Sequence, residues 1–291
     1  MVGLKKLFGG IDLTWKKVIT FAVLAGVYTA IMAMIPAAKD TSFADITITF
    51  EVWILFGIII IMNSKSPTDS ALKCFVFFLI SQPLVYLIQV PFTALRWQIF
   101  GYYKYWFIWT ALTIPMGFVG FYMKRDKWWG LLILTPILVF LGFHFSGFVS
   151  LTRYWFPHHL LTAIFCLITL LIYPTFIFNH QKVKTAGIII SIVIILCSSG
   201  LALVNRNVYN TTVLVNGGSA GAVFDDSCTV YLDDAGYGDV RIVYDDNIED
   251  YMVNAAFYKA GKTNLILEDA NGDTTVYALE IGYSNYEINK Q

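Results

Sequence analysis

The chain has 291 residues, of which 57% are hydrophobic and only 14% are charged, and its formal net charge is zero. Because ordinary soluble domains carry about 25% charged residues, this composition excludes an entirely water-soluble chain. The charges are unevenly distributed, since residues 1–205 carry 15 Lys and Arg against 6 Asp and Glu, whereas residues 206–291 carry 5 against 14.

Seven apolar stretches precede Asn205, and each is long enough to cross a hydrocarbon core about 30 Å thick. We place the predicted transmembrane helices at residues 18–36, 46–63, 74–92, 105–123, 128–148, 158–178 and 185–204. The connections between them are short, which predicts one antiparallel polytopic bundle over residues 1–205. We recognise no known family for this region.

Basic residues predict the orientation of the bundle. The loops on the side of the N-terminus carry 11 Lys and Arg, and the loops on the other side carry 4. Cytoplasmic loops of membrane proteins carry the excess of positive charge. We therefore expect a plasma-membrane protein with a cytoplasmic N-terminus, and seven crossings place the C-terminal part outside the cell. A cleaved signal peptide is the alternative for the first span, although its apolar core is longer than usual.

An acidic residue, Glu51, lies inside the second predicted span. Ionisable groups in the hydrocarbon are costly and so make a default functional hypothesis. Polar residues predicted at the same outer level form a candidate cluster consisting of Arg96, His144, Arg153, His158 and His159. A carboxylate among imidazoles can bind a metal ion or relay protons. The alternative is that Glu51 forms an ordinary salt bridge in the headgroup layer.

Two amides, Gln82 and Gln89, lie seven residues apart on the third predicted span, with Tyr86 between them. Seven residues are two helical turns, so both amides face the same side. Together with Glu51 they are candidates to line a substrate path. The alternative is hydrogen bonding between helices that only holds the bundle together.

After residue 205 the apolar pattern changes from long runs to alternation. Hydrophobic and polar residues alternate around Val213, Val240, Leu265 and Tyr277, and Asn271-Gly272 separates two of these runs. Asn-Gly between alternating segments is a strong signal for a β-hairpin. The pattern predicts a small all-β sandwich domain over residues 206–291.

The segment from Lys259 to Asp273 carries a resemblance to a known family. It contains Gly261, Thr263, Leu265, Leu267, Asp269 and Gly272 in the order Gly-x-Thr-x-Leu-x-Leu-x-Asp-x-x-Gly. This order resembles the last hairpin of bacterial immunoglobulin-like domains and covers about a quarter of the C-terminal part. The resemblance implies an immunoglobulin-like β-sandwich that serves for display or interaction and has no catalytic centre.

Acidic residues in the predicted loops raise the question of calcium. Asp269, Asn271 and Asp273 have the spacing of the first ligands of an EF-hand loop, but Thr274 stands where that loop needs glycine. The other acidic residues of these loops either bind calcium or are simply hydrated surface charges. These residues are Asp225, Asp226, Asp233, Asp234, Asp245 and Asp246. We predict no cofactor.

Three functions compete at this point. The leading hypothesis is a non-enzymatic membrane protein that displays the sandwich outside the cell to a protein, a glycan or another envelope partner. The alternative is a transporter or a substrate-binding membrane subunit with a polar path through the bundle. The third is an intramembrane metal-dependent enzyme that uses Glu51 with His144 and His158 or His159.

The lipid bilayer is an expected partner of the bundle. We expect no nucleic acid partner, because the acidic C-terminal part repels nucleic acid. We expect no nucleotide, because no Walker or Rossmann glycine pattern occurs.

Overall fold

The computed structural model describes residues 2–218, 221–246 and 248–291. It divides into two compact units. The first unit comprises Met1–Ser146 and Leu161–Gly200, and it is helical. The second unit comprises Gly147–Leu160 and Leu201–Gln291, and it contains all the described strands.

The helices follow one another as α1 Val2–Leu7, α2 Trp15–Met34, α3 Ser42–Asp45, α4 Glu51–Met62, α5 Pro67–Gln89, α6 Tyr103–Gly120, α7 Trp128–Tyr154, α8 Leu160–Ile177 and α9 Gln181–Val204. Local sequence explains where several of them begin. The Ser66 hydroxyl accepts a hydrogen bond from the amide of Asp69, and Pro67 occupies the first position of α5. Both features are typical of helix N-termini, where the first amides lack partners within the helix.

Six segments of the described chain are long and apolar enough to cross a membrane. They are α2, α5, Arg96–Lys124 with α6 at its centre, α7, α8 and α9. The second predicted span, at residues 46–63, is not confirmed as a membrane-length helix, because its helix α4 has only 12 residues. At 1.5 Å per residue this helix is about 18 Å long, well short of the hydrocarbon thickness.

Side chains that bond to nearby backbone explain why α4 begins late. The hydroxyl of Thr47 donates to the carbonyl of Ala44, and the hydroxyl of Thr49 donates to that of Asp45. Such local bonds offer the backbone an alternative to a continuing helix. Residues 46–50 therefore form a turn between α3 and α4.

Helix α4 lies in the core of the first unit. All twelve of its residues are buried or half-buried. Its side chains Trp53, Ile58 and Ile60 belong to the same buried cluster as Leu138 of α7 and Tyr173 of α8. A helix that is apolar on every side belongs in such a core.

Small residues bring α5 close to its two neighbours. A Cβ atom added to Gly26 of α2 would lie 2.8 Å from the carbonyl oxygen of Ser81, and one added to Gly117 of α6 would lie 3.0 Å from Ala71. The hydroxyl of Ser70 also donates to the carbonyl of Gly117 at 2.8 Å. Small residues and hydroxyl bonds of this kind are the usual means of packing helices in membranes.

The strands are β1 Tyr209–Val215, β2 Thr229–Leu232, β3 Gly238–Asp245, β4 Asp250–Phe257, β5 Gly261–Glu268, β6 Thr274–Ile281 and β7 Tyr286–Lys290. They form two antiparallel sheets, in the orders β1-β4-β3 and β2-β5-β6-β7. Val253 and Phe257 of one sheet share a buried cluster with Leu265 and Tyr277 of the other. This arrangement agrees with the predicted β-sandwich.

The second unit also contains the end of α7 and the loop that follows it. The hydroxyl of Tyr154 donates to the carbonyl of Gly282 at 3.1 Å, and its own carbonyl accepts from the amide of Ala260 at 2.8 Å. The ring of Trp155 stacks on that of Tyr283 at 6.0 Å. The strands are thus bound to residues 147–160 by hydrogen bonds and ring contacts as well as through the chain.

Candidate functional site

Glu51 and His144 form a buried acid–imidazole pair inside the first unit. Glu51 is the first residue of α4, and its side chain is 0% exposed. Its Oε1 lies against Nδ1 of His144 from α7, whose side chain is 22% exposed. The other carboxylate oxygen, Oε2, is buried and has no hydrogen-bond partner among the described residues. The structure thus brings together two of the residues that the sequence predicted at one level.

Aromatic rings pack against His144 and against one another beside this pair. The ring of Phe140 lies 4.3 Å from the imidazole of His144, measured between centroids. Phe50 packs against Phe140 at 5.9 Å and against Trp106 at 5.2 Å. Apolar surroundings lower the local dielectric constant and so strengthen the interaction between a carboxylate and an imidazolium.

A second buried acid, Asp45, lies on the other side of the turn at residues 46–50. The hydroxyl of Thr162, near the start of α8, donates to Oδ2 of Asp45. The amide of Thr162 donates to the hydroxyl of Ser42 at 3.1 Å. The indole Nε1 of Trp53 donates to the carbonyl of Ile46 at 2.8 Å, which ties the turn to α4. The broken segment before α4 is therefore held by side chains of the helices around it.

Sequence reasoning missed Asp45. The residue lies at the edge of the predicted second span, where an acid is expected to reach the headgroup layer. Its partner Thr162 is 117 residues away in the chain, so no local pattern connects the two. The one available signal was that an acid stands next to a long apolar run.

The candidate path residues on α5 lie apart from this pair. Gln82 is buried, and its Nε2 atom has no hydrogen-bond partner in the part of the chain that the structure describes. The Nε2 atom of Gln89 donates to the carbonyl of Val85 within its own helix, at 2.9 Å. Tyr86 is buried against the rings of Phe100 and Tyr103. A polar path that joins them to Glu51 stays a prediction.

The remaining members of the predicted outer cluster are distributed over both units. Arg96 belongs to the first unit and is exposed. Arg153, His158 and His159 belong to the second unit. There the guanidinium of Arg153 donates to the carbonyl of Ala202 at 2.8 Å, and His158 stacks on Trp155 at 4.0 Å.

His159 lies in the interior of the second unit. Its side chain is buried, and its ring lies 6.1 Å from the rings of both Phe148 and Tyr283. Among residues 2–218, 221–246 and 248–291, no group of three or more His, Cys, Asp or Glu is arranged to hold a metal ion. The intramembrane metal enzyme therefore gains no geometric support.

Acidic loop residues of the second unit accept hydrogen bonds within their own turn or from a neighbouring strand. Oδ1 of Asp269 accepts from the amides of Asn271 and Asp273 at 2.8 and 2.9 Å in the β5–β6 hairpin, where Gly272 has a φ of +86°. Asp233 accepts from the hydroxyl of Thr263 and the amide of Asn264, and these bonds lower the pKa of its carboxyl. Calcium at the acidic loops stays a prediction.

Comparisons with protein-family models, with curated proteins and with solved structures found no match to this chain.

Proposed function

We propose that the helical unit is a transporter-type membrane protein in which Glu51 and His144 bind the transported proton. The observation that carries this proposal is the complete burial of Glu51 against His144 in a bundle of membrane-length helices. Removing a carboxylate from water costs several kcal/mol even when it is paired. A bundle that served only as an anchor could carry apolar residues at these positions, because replacing a buried ion pair by well-packed apolar residues is often neutral or stabilising.

The chemistry of the pair suits proton movement. A neutral imidazole has one nitrogen that donates a proton and one that accepts it, and the carboxylate beside it is a second proton acceptor. The unpaired oxygen Oε2 offers a second acceptor on the same carboxylate. Broken helices such as the one before α4 occur at the ion and substrate sites of many transporters.

We further propose seven crossings, with residues 42–50 and α4 forming the second. Contacts at both ends of this segment support the proposal. At one end, the side chain of Asn63 donates to the carbonyl of Leu7 and accepts from the amide of Ile11, both of which precede α2. At the other end, Asp45 follows α2 and contacts Thr162. Non-helical backbone is tolerated at membrane depth where protein surrounds it.

With seven crossings, the excess of basic residues supports a cytoplasmic N-terminus and a sandwich outside the plasma membrane. Given a cytoplasmic N-terminus, six crossings would leave the sandwich in the cytoplasm, so labelling of the sandwich decides between six and seven crossings. In a variant whose four native cysteines are replaced by alanine, Ser284→Cys should react with a membrane-impermeant maleimide in intact cells. Labelling of Ser284→Cys only after permeabilisation would contradict seven crossings.

Proton flux into liposomes tests the function. Purified protein is reconstituted with a pH-sensitive dye inside, and a potassium diffusion potential is imposed. We expect Glu51→Gln to reduce the flux about tenfold or more, because amides cannot carry the proton. Asp12→Asn, which alters an exposed carboxylate of the same unit, is the control and should leave the flux unchanged. Equal flux through wild type, Glu51→Gln and protein-free liposomes would overturn the proposal.

Recognition by the sandwich is the second candidate function. The observation that favours it is a polar groove on the outward face of the four-stranded sheet. We keep the immunoglobulin-like resemblance as part of this candidate, because it rests on seven strands in two antiparallel sheets and on the β5–β6 hairpin. A partner that co-purifies with the full chain, and is lost when the chain ends after Asn205, would identify this function.

A further inference from the structure

The groove lies where the outward face of the sheet lacks a large side chain. Ala278 of β6 stands at the centre of the face, between its cross-strand neighbours Asn264 on β5 and Asn289 on β7. The methyl group of Ala278 leaves a depression between the two amides. The groove has a volume of about 640 Å³. Small-molecule sites commonly measure about 300–1,000 Å³, so it can accept roughly one or two sugar rings.

The polar groups of the groove are held in position. Asn264 donates from Nδ2 to Asp233 at 3.0 Å, and its Oδ1 accepts from the side chain of Gln291 at 3.4 Å. Asn289 lies on the other side of Ala278. Side-chain amides present both donors and acceptors, which matches hydroxyl groups that also donate and accept.

The charge of the groove is negative. Its lining includes four acidic residues and one lysine. Glu280 and Glu287 stand directly opposite each other on β6 and β7, where like charges are unfavourable. Lys262 pairs with Glu280 at 2.8 Å, and its interaction with Glu287 is a weaker one at longer range. A ligand that brings a positive charge beside Glu287 would relieve this repulsion.

We propose that this groove binds a short oligosaccharide that carries free amino groups. The row of amides around Ala278 would bind the sugar hydroxyls, and Glu287 would bind an ammonium group. The net negative charge disfavours acidic sugars and phosphates, because like charges repel the ligand as it approaches. This site is separate from the pair of Glu51 and His144, and the proposal does not depend on proton transport.

Binding to full-length protein in lipid nanodiscs tests the groove. The probe is fluorescently labelled, fully deacetylated chitotetraose, and the N-acetylated tetramer and cellotetraose are compared with it. Ala278→Leu should weaken binding of the deacetylated tetramer about tenfold or more, because the larger side chain fills the depression. Ala256→Leu is the matched control, since Ala256 stands between Asn210 and Asp239 on the central strand of the other sheet. We expect the control to bind as the wild type does.

Two further variants separate sugar recognition from simple charge attraction. Glu287→Gln should weaken the deacetylated tetramer and leave the N-acetylated tetramer unaffected. Asn289→Ala should weaken both sugars, because it removes hydrogen bonds to hydroxyls. Tetralysine binding as tightly as the deacetylated tetramer, with no effect of Asn289→Ala, would show that the groove attracts any cation and would overturn the proposal. So would the absence of saturable sugar binding up to about 5 mM.

Proteolysis of the sandwich in each variant verifies that it stays folded. Binding to the Glu51→Gln protein should equal binding to the wild type, so the two proposals can fail independently.

Discussion

The helical unit and the strand-containing unit use acidic side chains in opposite ways. In the helical unit Glu51 and Asp45 are buried, and each contacts a side chain of another helix. In the second unit acids such as Asp233 and Asp269 lie in turns, where they accept hydrogen bonds from nearby residues and from backbone amides. Two of the six acids of the helical unit are buried, whereas none of the described acids of the second unit is.

This difference shows that the surroundings of an acidic side chain, lipid or water, decide whether its presence implies a function. Inside a bundle of membrane-length helices a carboxylate must find a partner or lose its charge, so its presence points to function. In a water-exposed turn a carboxylate costs little, and it shapes the loop by accepting amide hydrogen bonds. The following predictions test this contrast, from the largest expected effect to the smallest.

Truncation of an aromatic side chain should destabilise the sandwich strongly when the ring lies in its core, and not when the ring is exposed elsewhere in the chain. Phe257 is 0% exposed in the core of the sandwich, whereas Phe107 of α6 is 48% exposed on the outer surface of the bundle. Phe257→Ala should destabilise the sandwich by about 3–5 kcal/mol, because it removes contacts and leaves a cavity. Phe107→Ala is the control, and proteolysis of the sandwich in urea is the measurement. Equal protease resistance of both variants would contradict the assigned core.

Loss of the partner of Asp45 should destabilise the helical unit. Thr162→Val leaves this buried carboxylate without its hydroxyl donor, which we expect to cost about 1–3 kcal/mol. Thr175→Val on the same helix is the control, since its hydroxyl donates to the carbonyl of Leu171 within that helix. Thermal unfolding in detergent measures both.

A double-mutant cycle identifies the interaction itself. If Thr162 and Asp45 interact, the loss in the pair Asp45→Asn and Thr162→Val is smaller than the sum of the two single losses. Strict additivity would show that the contact carries no energy.

Asp233 should make the stability of the sandwich depend on pH in the acid range. Bonds from Thr263 and Asn264 lower the pKa of this carboxyl below its ordinary value of 3.8. Its contribution is therefore complete above pH 3.8 and is lost as the pH falls through the lowered pKa of the folded state. Pepsin digestion at a series of pH values below about 5 measures this loss.

Asp233→Asn should flatten this part of the pH profile. Asp226→Asn removes one negative charge from another loop of the same unit, and it serves as the control for net charge. An unchanged profile in Asp233→Asn would assign the acid sensitivity to other groups.

The surface ion pair of Lys262 and Glu280 should contribute least. Its side chains are 77% and 55% exposed, although the charged atoms are 2.8 Å apart. Exposed pairs contribute about 0–1 kcal/mol, because water and salt screen them. Lys262→Gln should therefore change the stability of the sandwich by less than about 1 kcal/mol, as measured by urea titration. A larger loss would indicate that the contrast between buried and exposed acids is too simple.

The amino-acid sequence by itself determined the features that depend on neighbouring residues. The long apolar runs predicted the helices that became α2, α5, α6, α7, α8 and α9. A segment that crosses lipid must satisfy its backbone hydrogen bonds internally, as a helix does, and must present apolar side chains to the lipid. Alternation predicted the strands around Val240, Leu265 and Tyr277. Asn271-Gly272 predicted the β5–β6 hairpin, because glycine readily adopts the positive φ of its turn.

Only the tertiary structure decided which distant residues meet. Of the predicted cluster, His144 contacts Glu51 in the folded chain, whereas His158 and His159 belong to the unit that contains the strands. The helix of the second predicted span begins only at Glu51. On the outward face of the four-stranded sheet, the small side chain of Ala278 leaves a depression beside Asn264. These outcomes depend on how helices pack and how strands pair across long stretches of chain. The local periodicity of a sequence predicts how long each helix or strand is and which of its faces is buried, but it does not predict which distant residue a side chain contacts.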